Sequence, residues 1–174
     1  MEQPLVRGRV RATTRSQVAA LVGLACLVKL SWSLAADSGS EKVEHLEGGY
    51  AVQVPVDSKV TQVSTVGDFV LYRLTDRAGK LVVVIYLGNF PDTKVKIPKD
   101  SVKSSSSIAG LAASSNRWRE SNGTYAGTTL IQLSQNGPWP EFAHLFFNGL
   151  SRNESKSADA IVHSFHKEIP PNRQ

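Results

Sequence analysis

A chain of 174 residues with 20 Lys+Arg, 15 Asp+Glu and one cysteine carries a formal net charge of +5. A lone cysteine excludes an internal disulfide framework and a thiolate metal cluster. The basic excess is local: residues 1–35 hold five of the cations and one acid, leaving 15 cations and 14 acids beyond them, so it does not argue for nucleic-acid binding.

Those first residues have the pattern of a secretory signal peptide. Arg7, Arg9, Arg11 and Arg15 precede an apolar run from Val18 to Val28, followed by Ser31-Trp32-Ser33-Leu34-Ala35. Eleven apolar residues are too few for a hydrocarbon core of ~30 Å, which takes about 20. Ser33 and Ala35 supply the small side chains that signal peptidase needs for cleavage before Ala36. The rival reading tolerates Lys29 and keeps Gln17 to Ala36 as a membrane anchor. Cleavage implies export, with the bacterial periplasm as the expected compartment, and contact with the membrane only through the leader. It also removes Cys26, the only cysteine. The predicted organisation is a signal peptide over 1–35, a flexible lead-in over 36–45, one α+β domain over 46–169 and a tail over 170–174.

Asp37 to Glu47 is polar and without period. Tyr50, Val52 and Val54 alternate with smaller or polar residues and predict a strand stopped by Pro55. Val60 to Val66 predicts a less regular strand. Phe69 to Leu74 and Leu81 to Leu87 flank Asp76-Arg77-Ala78-Gly79, which predicts an antiparallel hairpin. In the expected register Leu74 faces Leu81, Tyr72 faces Val83 and Val70 faces Ile85. Both faces of that hairpin are largely apolar, so it belongs inside a sheet with cover on each side.

Lys94 to Pro98 suggests a short edge strand with outward lysines. Seven of the 15 residues from Ser101 to Ser115 are serine, a composition expected of a mobile loop. Tyr125 to Leu133 and Glu141 to Phe147 predict two further strands. Ala158, Ile161, Val162 and Phe165 stand at i, i+3, i+4 and i+7 and predict an amphipathic helix. Ser157 is its expected N-cap, and His166-Lys167 would complement its C-terminal dipole. The predicted fold is a single antiparallel β-sheet backed by a C-terminal α-helix.

Chemistry-bearing motifs are sparse. His163 and His166 are spaced i, i+3 without an intervening carboxylate, a poor match to a helical metal pair. No nucleophile elbow, phosphate loop or dinucleotide fingerprint occurs, so neither a cofactor nor a metal is expected. Asp68, Asp76, Asp92 and Asp100 all lie beside turn signals and read as turn or cap residues. Aromatic residues near loops are the better candidates. Arg117, Trp118, Arg119 and Tyr125, with Trp139 more remotely, form the candidate binding set for a sugar, a peptide or a partner protein. Large aromatics are usually core, which is the competing account of Trp118 and Trp139. Two sequons, Asn122-Gly123-Thr124 and Asn153-Glu154-Ser155, fall in loop-like places.

The succession Gly49-Tyr50, Val54-Pro55, Phe69-Val70-Leu71-Tyr72, Tyr86-Leu87-Gly88-Asn89-Phe90-Pro91 and Ser157 to Phe165 resembles small exported bacterial proteins, loosely of PsbP-like type. That resemblance implies a helix-backed antiparallel sheet in the periplasm and no catalytic residues. The functional expectation is an exported, non-enzymatic binding or accessory domain. A hydrolase using His144 with a nearby carboxylate is the alternative.

Overall fold

A computed structural model of the chain describes residues 40–91, 95–135 and 137–168. The expected signal peptide and the tail fall outside them. The elements are β1 (Glu41–Leu46), β2 (Tyr50–Pro55), β3 (Lys59–Val66), β4 (Phe69–Thr75), β5 (Leu81–Gly88), β6 (Val102–Ile108), β7 (Leu111–Arg119), β8 (Tyr125–Gln132), β9 (Phe142–Leu150), α1 (Arg152–Ser164) and β10 (His166–Lys167). The class is α+β, but the expected single sheet is two. One has three strands in the order β1-β2-β10, and the other has seven in the order β3-β4-β5-β9-β8-β7-β6, with every pair antiparallel.

The core lies against one face of the larger sheet. Val70, Tyr72 and Leu74 of β4, Val83, Ile85 and Leu87 of β5, and Leu145 and Phe147 of β9 are all buried there. Ala158, Ile161 and Val162 of α1, Phe165, and Val52 and Val54 of β2 join the same cluster. The helix and small sheet therefore remove one face of the hairpin from water. Burial on its other face is incomplete: Phe69, Leu71, Val82 and Tyr86 remain half-buried and Arg73 is exposed.

Several local expectations are corrected. The β4–β5 register is displaced by two residues, pairing Leu74 with Val83, Tyr72 with Ile85 and Val70 with Leu87. A shift of two preserves which side chains share a face, so the core residues stay the same. The displacement accompanies a bulge after Leu74 and a longer loop closed by Asp76, which accepts from the Lys80 amide at 2.9 Å. Much of the flexible lead-in is β1: its polar residues gain order from the β2 ladder, and Lys42 pairs with Glu44 at 2.7 Å.

The serine-rich segment is a hairpin rather than a mobile loop. Ile108 pairs with Leu111 across Ala109 and Gly110, which have φ of 53° and 79°. Two successive left-handed residues make a tight turn that matches the twist of a hairpin. Strand β6 is exposed on both faces up to Ser107, which explains why it shows no hydrophobic period. Of the edge strand expected over Lys94 to Pro98, Lys94 lies outside the described residues and Val95 to Pro98 has no strand structure.

At the helix, Ser151 is the N-cap in place of Ser157. Ser151 Oγ accepts from the Glu154 amide, and the Glu154 carboxylate accepts from the Ser151 amide at 2.7 Å, a reciprocal capping box. His166 and Lys167, expected at the helix C-terminus, instead pair with Ala51 and Tyr50 of β2.

Candidate functional site

Across β7, β8 and β9 the register aligns Arg117, Gly127 and Phe147 in one row. Gly127 has no side chain, and a Cβ there would come within 2.6 Å of Arg117 Cδ and 2.7 Å of Phe147 Cζ. Through that gap the Arg117 guanidinium reaches the Phe147 ring, its Cζ 5.2 Å from the centroid. Arg117 Nε donates to Asp159 Oδ1 at 2.6 Å, Nη1 to the carbonyls of Asn116 and Thr128, and Nη2 to Thr129 Oγ1. Almost all of its donor capacity is spent on the protein. Arg117 is a brace between the sheet and α1.

Beside this brace lies a cleft of about 390 Å³, lined by Trp118, Tyr125, Phe147, Val102, Asp100 and Arg119 among others. Four of the five residues singled out in sequence, Arg117, Trp118, Arg119 and Tyr125, thus share one cavity. The β7–β8 hairpin brings them together: Arg119 pairs with Tyr125 and Trp118 with Ala126. Trp118 and Tyr125 are half-buried, and Val102 is 70% exposed. Arg119 Nε donates to the Gly123 carbonyl at 3.3 Å, and neither of its terminal nitrogens has a protein partner among the described residues. The cleft therefore offers apolar ring surface, one available guanidinium and the Asp100 carboxylate.

Sequence reading missed Asp100, Val102, Phe147 and Asp159. Asp100 reads in sequence as a turn or cap residue, Val102 as part of the serine-rich loop, and Phe147 only as the end of a strand. Asp159 had a signal, being the acid next to Ala158 on the predicted helix. Only the fold puts it against Arg117.

Trp139 does not belong to this cleft. Half-buried, it packs against the hydrophobic cluster, and its Nε1 donates to the Asp68 carbonyl at 2.7 Å. Here the core account is the right one.

The histidines are dispersed. His144, 7% exposed, sits on β9 with its Nε2 hydrogen-bonded to Thr128 Oγ1. It lines a cavity of about 140 Å³ with Asn116, Ser114 and Leu130, and the described lining residues include no carboxylate. His45 is paired with Glu168 at 2.6 Å, while His163 and His166 each contact a backbone carbonyl through Nδ1. Among the described residues no group of three potential metal ligands gathers, and no helix is long and apolar enough to cross a membrane. In the first sequon, Asn122 Oδ1 accepts from the Thr124 amide at 2.9 Å; Asn153 of the second is exposed in the first turn of α1.

Comparison of the chain with protein-family models and with curated proteins returned no match.

Proposed function

We propose that the mature chain is an exported, non-enzymatic binding or accessory domain of the periplasm, which captures a ligand or partner in the Trp118–Tyr125 cleft. The observation that carries this reading is the convergence of Trp118, Arg119 and Tyr125 on one cavity. Its wall is stiffened by Arg117, whose bonds tie β7, β8 and α1 together. A rigid wall lowers the ordering cost of binding, and a half-buried Trp beside an uncommitted Arg is the composition of an interface anchor.

Trp118→Ala tests it. The variant should melt within a few degrees of the parent while losing about 2 kcal/mol of capture, roughly 30-fold in Kd, when the pure proteins are offered an extract of their own compartment. A loss of ~3–5 kcal/mol in folding stability would instead make Trp118 a core residue and retire the cleft as an anchor. Export is checked separately by the intact mass of protein recovered from the producing cells. Loss of residues 1–35 supports it, and a membrane-bound product retaining Met1 overturns it.

A further inference from the structure

Strand β6 forms one edge of the seven-stranded sheet, and β7 is its one partner there. In an antiparallel ladder alternate residues direct their N–H and C=O groups at the partner strand, so on an edge strand the rest point outward. Among the described residues no backbone hydrogen bond outside the β7 ladder reaches Val102–Ile108. Edges are commonly blunted by bulges, prolines or short length. The opposite edge, β3, has a register shift between Gln62 and Ser64. Strand β6 instead pairs without a break over seven residues, lacks proline and is exposed from Val102 to Ser107. It is a template for another strand.

Its two faces differ. Val102, Ser104, Ser106 and Ile108 pair with Arg117, Ser115, Ala113 and Leu111, and so share the face on which Arg117 reaches Asp159 of α1. Apolar surface is available there: Val102 is 70% exposed and lines the cleft with Tyr125 and Phe147. Lys103, Ser105 and Ser107 lie on the other face. Charge around the edge is one-sided. From Val95 to Glu120 the chain holds Lys96, Lys99, Lys103, Arg117 and Arg119 against Asp100 and Glu120. Arg117 is paired with Asp159 at 2.6 Å, so four cations face two acids. A second copy would bring the same excess to the edge and be repelled, whereas an acidic segment is attracted.

We infer that an extended acidic peptide adds to β6 as a further strand of the larger sheet, with apolar side chains beside Val102 and carboxylates beside Lys103. Backbone pairing supplies affinity in this mode, and the alternating side chains supply specificity. The surface adjoins the proposed cleft through Val102 but does not rest on it. Fluorescence anisotropy of the full chain with a labelled octapeptide of alternating valine and glutamate tests the inference. The same peptide with lysine for glutamate should bind at least ~10-fold more weakly, and Lys103→Glu should weaken the glutamate peptide by about 10-fold. Two further peptides carry backbone N-methyl groups on alternate residues, one on the odd positions and one on the even. Only one of the two patterns should block binding, because only one set of amides faces β6. Trp118→Ala should change the affinity little.

No binding overturns the inference, as do equal affinities for the glutamate and lysine peptides, equal effects of the two methylation patterns, or indifference to Lys103→Glu. Binding lost in Trp118→Ala but kept in Lys103→Glu overturns it while leaving the cleft as a binding site. A dimer in sedimentation that the peptide fails to dissociate, with no peptide bound, overturns it in favour of a second copy on the edge.

Discussion

Arg117 lies over the ring of Phe147, its guanidinium carbon 5.2 Å from the centroid, and the two meet only because Gly127 stands between them in the β-ladder. A cation over an aromatic face is worth ~0.5–2 kcal/mol depending on desolvation. The larger consequence is positional: from there Arg117 Nε bonds Asp159 on α1. One missing side chain on β8 thus couples the sheet, the helix and a wall of the cleft.

Gly127→Ala should accordingly destabilise the fold by about 1–3 kcal/mol, since its methyl would overlap both Arg117 and Phe147. Phe147→Leu on that background should recover part of the loss, giving a non-additive double-mutant cycle. Urea denaturation measures it. Additive effects would show that the Ala methyl does not meet the Phe147 ring.

Trp118 and Trp139 should behave oppositely. Trp139→Ala removes a half-buried ring packed against the hydrophobic cluster, so it should cost ~3 kcal/mol. Trp118→Ala should cost under about 1 kcal/mol, as substitutions away from a packed core usually do. Thermal melts of the pair decide it, and equal losses would contradict the division between core and cleft.

Glu154 makes the helix N-terminus acid-sensitive. The Lys80 ammonium, 2.7 Å from Oε1, together with the Ser151 amide, holds its carboxyl at about 2, below the ordinary 4.5. A carboxyl lowered by folding contributes stability that is complete above pH 4.5 and is lost as pH falls toward 2. Glu154→Gln should lower stability at neutral pH and flatten the pH dependence between those limits. Melting temperatures across that range test it, and an unchanged slope would mean the ion pair and cap contribute nothing to the acid response.

Ala109 holds φ of 53° at the tip of the β6–β7 hairpin. Left-handed backbone costs an L-residue ~1–2 kcal/mol, and Asn tolerates it best among the non-glycine residues. Ala109→Asn should therefore raise stability by about 0.5–1 kcal/mol. Lower stability on denaturation would refute the two-residue turn.

The strands that bury side chains were legible because burial leaves a period. Tyr50 to Pro55, the β4–β5 pair, β8 and β9 all alternate or run apolar, and the helix shows its 158, 161, 162, 165 spacing. Ser151 with Glu154 was equally readable as a capping box, though the apolar stripe begins only at Ala158 and drew the expected cap toward Ser157. Strands β1 and β6 left no such trace. Strand β6 is exposed at every residue but Ile108, and β1 buries only Leu46, so both owe their order mainly to backbone pairing with β2 and β7, which selects no side-chain pattern.

Sequence by itself determined the α+β class, the apolar content of the central hairpin, the terminal helix and the grouping of Arg117, Trp118, Arg119 and Tyr125, because each follows from neighbours along the chain. Tertiary structure decided the split into two sheets, the two-residue register of β4 and β5, and the division of roles within that group. Arg117 became a brace because Asp159 and Phe147, 42 and 30 positions away, close on it across a glycine. Trp118 and Arg119, the next two residues of the same strand, make no such contact with α1 and line the cleft. Such roles depend on contacts between distant segments, which the pattern of hydrophobic and polar residues along one strand does not encode.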